Sequence, residues 1–284
     1  MKRLLICIIL CISINQANAQ KRRKVQAKPS GQADFLKTQC WLAIRSGINF
    51  TNVNPLERHP GFYPINYSED LLDKAYENFT APAFHVGLDI TFYHEGFSVS
   101  TFPSFYKHNM VYKSTSVWLG NTASEQYESI HNIEQSVTFI DLPLAIKSDI
   151  LKNNVRPFVV VGALYSFIFD ANKSVQIQEV DYASGNALTY DRTTLCLNNE
   201  QDFLNNWGVL GGTGASFDFW NIRTIIDIQY RHSLTTIVEP TSRYTETIFS
   251  AFGEIVDNYK LANFSGSISF FFPLRYIDNQ LKAL

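Results

Sequence analysis

The chain has 284 residues, 24 of them basic and 26 acidic, for a formal net charge of −2; 45% of it is hydrophobic, with 22 Phe and 14 Tyr. This balance argues against nucleic acid as a partner of the folded body. Beyond the N-terminus no apolar run approaches the roughly eighteen residues of a membrane-spanning helix, which excludes a helical membrane protein. So many aromatic side chains in one exported chain favour strands.

The N-terminus reads MKRLLICIILCISINQANAQ, a short basic start (Lys2, Arg3), an apolar run and Ala17-Asn18-Ala19. This is the pattern of a secretory signal peptide over residues 1–19, cleaved after Ala19, and it is too short to span a membrane. Leu10 before Cys11 does not suit a lipid-anchoring signal. The chain is therefore expected to leave the cytoplasm. Residues 20–39 form a polar, aperiodic tail whose positives are Lys21, Arg22, Arg23, Lys24 and Lys28. They read either as a solvated tail or as a contact for acidic partners or lipid head groups.

From Cys40 the pattern is strand-like. Cys40–Thr51 alternates Leu42, Ile44, Ile48 and Phe50 against Ala43, Arg45, Gly47 and Asn49. Residues 52–80 form a long loop with a helical turn near Leu71–Glu77. Ala81–His94 shows the alternation most clearly, with Phe84, Val86, Leu88, Ile90 and Phe92 against His85, Gly87, Asp89, Thr91 and Tyr93. A period of two over about ten residues suits a tilted membrane strand. A tight turn leads to Phe97–Lys107, and Asn109–His131 reads as polar loop. Asn132–Asp149 follows, with Ile140, Leu142, Leu144 and Ile146 on one face and a bulge expected at Pro143. Arg156–Phe169 is apolar on both faces. Asp170–Asn206 reads as the longest loop. Trp207–Phe219 and Ile222–Ser233 flank a two-residue turn at Trp220-Asn221, and Lys260–Pro273 is the last strand.

These eight strands are joined by connections that alternate long and short. The alternation predicts an all-β fold: an eight-stranded antiparallel transmembrane β-barrel over residues 40–274, with short periplasmic turns and long extracellular loops. Closure is required because an open edge in lipid leaves backbone groups unpaired. Both termini are then periplasmic, including a C-terminal extension over residues 275–284, and the expected location is the outer membrane of a Gram-negative bacterium. Cys40 and Cys196 fall on opposite sides, too far apart for a disulfide.

An eight-stranded barrel is just wide enough for side chains to fill. Arg45, Asp89, Asp141, Asp227 and Arg231 point inward, and a salt-bridged polar plug outweighs an ion path as their expected role. His59, His108 and His131 are placed in outer loops or at their edges, and His94 in a periplasmic turn. His85 and His232, near Ser233, are the sole candidates for an outer-rim hydrolase or acyltransferase, and no motif fixes their geometry. No catalytic residue, metal ligand set or cofactor is expected. Trp41, Trp220, Phe270 and Phe272 are assigned to a periplasmic aromatic girdle and Trp207 to the outer one. Phe62, Tyr63, Tyr67, Trp118 and Tyr127 are candidates for a loop contact surface.

The stretches FIDLPLAIK, RPFVVVGALY, DIQYRHSL and SGSISFFFPL resemble the PorT-type outer-membrane β-barrel family of Bacteroidota. The likeness lies in a proline after a carboxylate and an apolar residue, an Arg-Pro-aromatic strand with a glycine, and an aromatic-Arg strand ending. It runs from about Cys40 to Leu274. It implies a component or accessory of a type IX-like protein secretion complex, with membrane or periplasmic protein partners besides lipid. The chain departs from the outer-membrane habit of ending on an aromatic, continuing PLRYIDNQLKAL after Phe272. The alternatives are a small porin-like or structural barrel without a dedicated partner, and the rim enzyme.

Overall fold

The computed structural model describes residues 38–59, 72–119, 126–151, 155–182, 186–192, 194–219, 222–241 and 254–274. The expected signal peptide, residues 20–37 of the basic tail, the aromatics Phe62, Tyr63 and Tyr67, the Trp220-Asn221 turn and the 275–284 extension lie outside them, whereas Thr38 and Gln39, expected in that tail, open the first strand and pair with the third. Twelve strands form one antiparallel system: β1 (Thr38–Glu57), β2 (Leu72–Glu77), β3 (Pro82–His94), β4 (Phe97–Thr101), β5 (Ser104–Trp118), β6 (Tyr127–Asp149), β7 (Val155–Asp181), β8 (Leu188–Asp191), β9 (Leu195–Asn198), β10 (Asn206–Phe219), β11 (Ile222–Ser233) and β12 (Asn258–Pro273).

The pairing closes on itself. β1 pairs with β3, β3 with β4 and β5, both of these with β6, then β6 with β7, β7 with β10, β10 with β11, β11 with β12 and β12 with β1. Because β4 and β5 act as one wall interrupted at Phe102-Pro103, the ring is eight walls. No wall of that ring is left with an unpaired edge.

Alternation then sorts the side chains. On β3, Phe84 is 63% exposed while Asp89, five residues along, is 0% exposed. Ile44 and Ile48, Leu142 to Ile146, Val159 and Val161, Ile226 and Ile228, and Phe270 and Phe272 continue an outward apolar belt. An apolar exterior around a polar interior is the reverse of a protein folded in water, and it suits a wall solvated by lipid.

Past Phe105 and Ile140 that order inverts. Lys107, Asn109, Lys113, Asn132 and Glu134 hold the outward positions, whereas Met110, Tyr112, Ile133 and Val137 turn inward and are buried. Above the belt both sides of the sheet face an aqueous setting, so this part builds an ordinary apolar core. Ile237, Val238, Phe203, Tyr259 and Leu261 fill that core from the connections and β12.

The inversion carries strand structure well beyond the apolar belt. The segments assigned to loops, Asn109–His131 and Asp170–Asn206, instead carry the long upper parts of β5, β6 and β7, with β8 and β9 paired to β7. The helical turn expected at Leu71–Glu77 is strand β2, held against β5 from Leu72↔Ser116 to Glu77↔Val111. His108 and His131 lie on β5 and β6 facing inward, both buried. Trp118 and Tyr127 close the β5–β6 ladder as a cross-strand ring pair 5.4 Å apart, so they are strand ends and not loop tips.

Two further corrections concern single residues. Pro143 stays in register with Leu164, and the β6–β7 irregularity sits between Thr138 and Phe139. Pro143 is accommodated differently: Thr101 pairs with Leu144 and Ser104 with Asp141, which sets the β4–β5 break across from Leu142-Pro143. A proline with no N–H thus faces a stretch where the neighbouring ladder is already interrupted. Trp41 is 1% exposed and points into the barrel, not into a girdle. It shares the phase of Ala43 and Arg45, and the Arg223 guanidinium lies 4.7 Å from its ring centre. Phe270, Phe272 and Trp207 do face outward.

Gly47 shows how tight the wall is. A Cβ there would stand 2.1 Å from the Gly266 carbonyl oxygen and 2.6 Å from the His85 ring, whereas at Gly266 it would meet nothing within 4 Å. Gly47→Ala is therefore expected to lower the urea midpoint of the folded barrel markedly, and Gly266→Ala to leave it nearly unchanged. Equal effects of the two substitutions would contradict the packing described.

Candidate functional site: a filled lumen and a capped mouth

The inward faces meet in three layers. The middle layer contains all five residues expected from the sequence, together with Lys147 and Phe102. Arg45 on β1 donates from Nη2 to Asp227 Oδ1 and Oδ2 at 2.8 and 2.7 Å and to Ser267 Oγ at 2.7 Å. Its Nη1 lies 3.9 Å from Asp89 Oδ2. Lys147 Nζ donates to the same Asp89 oxygen at 3.2 Å, and Thr91 Oγ1 donates to Asp89 Oδ1 at 2.7 Å. Arg231 Nη1 donates to Asp141 Oδ2 at 2.7 Å, and Ser166 Oγ to Asp141 Oδ1 at 2.6 Å.

Three cations thus stand against three carboxylates in one buried layer. Phe102, at the β4–β5 break, is 0% exposed, and its ring centre lies 4.8 Å from Arg45 Cζ, 5.7 Å from Lys147 Nζ and 5.8 Å from Arg231 Cζ. A negative ring face shared by three cations supports charges that the low-polarity wall would otherwise penalise.

The short-turn end holds a second layer. Arg223 Nε donates to Asp218 Oδ1 at 2.6 Å, Arg156 donates to Asp218 Oδ2, and the Tyr93 hydroxyl donates to Asp149 Oδ2 at 3.1 Å. Two cavities between inward side chains of the described strands have about 20 Å³ each. That is room for little more than a single water in either. Among the described residues, side chains fill the lumen.

The third layer closes the long-loop end, and no local sequence pattern announces it. Lys74 on β2 donates to Asp257 Oδ1 at 3.0 Å and to the Ile255 carbonyl at 2.6 Å, and the Tyr76 hydroxyl donates to Asp257 Oδ2 at 2.6 Å. Glu254 Oε1 accepts from Tyr112 at 2.9 Å and from Lys173 at 3.0 Å, with His131 Nδ1 at 3.8 Å from its other oxygen. These residues come from β2, β5, β6, β7 and the segment before β12. Four long connections are therefore tied together over the mouth by buried charge pairs. Burial alone would raise the Glu254 carboxyl, but the Lys173 and Lys74 ammonium groups hold it well below the usual range. Burial and the Asp257 charge push the Tyr76 hydroxyl well above its ordinary value.

His85 and His232 stand in separate settings. His85 Nε2 lies 3.2 Å from Ser267 Oγ, and its ring stacks on Tyr106 at 4.6 Å. Its Nδ1 has no hydrogen-bond partner among the described residues, so no described carboxylate orients it. His232 faces the outward side beside Tyr230, and Ser233 donates to Asn206 Oδ1 at 3.2 Å. Cys40 on β1 and Cys196 on β9 are free thiols, and both are exposed. No helix among the described residues is long and apolar enough to cross a membrane.

The sequence matches the family described as "Outer membrane protein beta-barrel domain" over residues 13–239. The chain belongs to that family. As an outer membrane barrel it contacts membrane lipid along its apolar belt. Among solved structures it is similar to the outer membrane protein OprG from Pseudomonas aeruginosa, at 12% identity, 84% coverage of this chain, 98% of that one and a TM-score of 0.39. It is also similar to Neisserial surface protein A, at 9% identity, coverage of 81% and 95%, and a TM-score of 0.33. Outer Membrane Protein W of E. coli aligns at 14% identity, coverage of 81% and 97%, and a TM-score of 0.32. No curated protein matches this barrel.

Proposed function

We propose that this outer membrane barrel is a closed, non-enzymatic scaffold that works through its surfaces and not through a pore. The filling of the lumen by side chains in three layers carries that reading. The short-turn end and both termini are assigned to the periplasm, as the sorting of connections by length favours. Its partners are then membrane or periplasmic proteins reached through the cap, the outer wall or the tail containing Lys21, Arg22, Arg23, Lys24 and Lys28. The resemblance of FIDLPLAIK and RPFVVVGALY to PorT-type barrels supports a finer reading, an accessory of a type IX-like secretion complex.

The experiment is isolation of the tagged protein from outer membranes in mild detergent, paired with deletion of its gene and assay of exported cargo. Stoichiometric co-purification of secretion subunits together with loss of cargo from the medium is the expected result. A lone barrel with normal secretion would overturn the accessory role. Of the alternative, a small porin-like or structural barrel without a dedicated partner, cavities of about 20 Å³ weigh against the conducting form and leave the structural form to the same experiment. The separate settings of His85 and His232 weigh against the rim enzyme.

A further inference from the structure

Four neighbouring strands present a polar trough on the outer wall, just above the apolar belt, with a volume of about 570 Å³. The registers align Asn109 with Ser136, Ser136 with Asn172, and Asn172 with Asn198, so one row of outward polar groups crosses β5, β6, β7 and β9. A second row above it runs through Val111, Glu134, Ser174 and Cys196. Pro82 closes one end, its carbonyl accepting from Asn109 Nδ2 at 2.9 Å.

Position is the first argument. Phe105 and Phe169 face outward below the trough, their rings 5.3 Å apart edge to face, and form the upper margin of the belt. Asn109 lies four residues above Phe105 on the same strand. At roughly 3.3 Å per residue along a strand tilted by about 40°, this puts the trough about 10 Å above those rings, at the level of the head groups of a bilayer. The trough is therefore continuous with the lipid-facing surface.

Chemistry is the second. The amide nitrogens of Asn172 and Asn198 donate to Asp170 at 2.6 and 3.0 Å, and that of Asn109 to the Pro82 carbonyl. Asn198 Oδ1 accepts from the Glu200 N–H at 3.2 Å, so the acceptors turned to the trough are the Asn109 and Asn172 side-chain oxygens with the Ser136 hydroxyl. Glu134 and the adjoining Asp170 carboxylate are negative and Lys107 is the positive group, and neither Lys107 nor Glu134 is in an ion pair among the described residues. Acceptors beside carboxylates suit a ligand rich in hydroxyl groups, and Lys107 offers the contact for its phosphate. A phospholipid head offers the phosphate without the hydroxyl array.

We infer that this trough seats the phosphorylated saccharide head of an outer-leaflet glycolipid, its acyl chains resting on Phe105 and Phe169. The inference uses the assignment of the long-loop end to the outer side. Cys196 stands in the trough and Cys40 near the opposite end, so one chain carries both reporter and reference.

The test measures maleimide reaction rates of the mature protein in phosphatidylethanolamine–phosphatidylglycerol vesicles, with and without purified lipopolysaccharide. The expected result is about tenfold slower reaction at Cys196 with lipopolysaccharide and an unchanged Cys40. Asn109→Ala with Asn172→Ala is expected to restore the faster rate while the barrel keeps its heat-modifiable mobility. No slowing at Cys196 would overturn the proposal. So would equal slowing at a Thr189→Cys reporter on exposed β8 in a Cys196→Ser background, which would mean general shielding. Equal protection by delipidated soluble oligosaccharide would overturn the glycolipid as the source.

Discussion

Replacing Arg45 with alanine is expected to remove about 3–5 kcal/mol from the stability of the barrel, the range for breaking a buried ion pair by deleting one partner. Arg45 is 1% exposed and faces both Asp227 and Asp89. The change removes the donor to two Asp227 oxygens and to Ser267, and it leaves three carboxylates against two cations in a buried layer. The urea midpoint in detergent, read by the shift between folded and unfolded mobility on gels, measures the loss. Arg45→Met combined with Asp227→Leu restores the balance at two against two and fills the space with apolar atoms. That pair of changes is expected to cost clearly less than Arg45→Ala alone. A double variant as unstable as the sum of its singles would show that the two side chains are not coupled.

Replacing Glu254 with alanine is expected to open the cap and leave the belt intact. Glu254 is the acceptor for Lys173 and Tyr112, and its loss strands a buried ammonium. A local loss on the order of 3 kcal/mol corresponds to roughly a hundredfold rise in the opening equilibrium. Amide exchange should therefore accelerate by about that factor in β2 and the upper parts of β5, β6 and β7, while β3 and the lower part of β12 keep their protection. Uniform acceleration along whole strands would contradict a separate cap. The pH dependence follows from the depressed carboxyl. A carboxyl whose pKa is lowered on folding stabilises the fold above its unfolded value of about 4.3 and loses that contribution only as pH falls through the lowered value. Exchange in the cap of the unaltered protein should then show no opening step from Glu254 between pH 8 and pH 5.

The belt was legible because lipid imposes one rule on every wall: apolar out, polar in, period two. That rule assigns Asp89, Asp141 and Asp227 inward without any knowledge of their partners. It also leads to error where lipid ends. Lys107 to Val117 still alternates with period two, but Met110 and Tyr112 turn inward and Lys107 and Lys113 outward, so a search for outward apolar residues ends the strand at the membrane edge. Residue type suggests a girdle for Trp41, whereas its phase with Ala43 and Arg45 puts it inside. A Phe-Pro step inside an apolar run does not announce a break that tucks the Phe102 ring among three cations. The cap has no local signature for a different reason. Lys74, Lys173, Glu254 and Asp257 are brought together by barrel closure and by the extension of the upper strands, and no local pattern records that.

Among the described residues side chains fill the lumen, and the proposed role through outer surfaces depends on that filling. Ionic current through the purified protein in planar bilayers decides the point. No stable conductance steps are expected from the unaltered barrel at moderate voltage. Reproducible steps carried by the intact, heat-modifiable protein would overturn the closed-barrel reading, since cavities of about 20 Å³ between the described lumen side chains are too small for a hydrated ion.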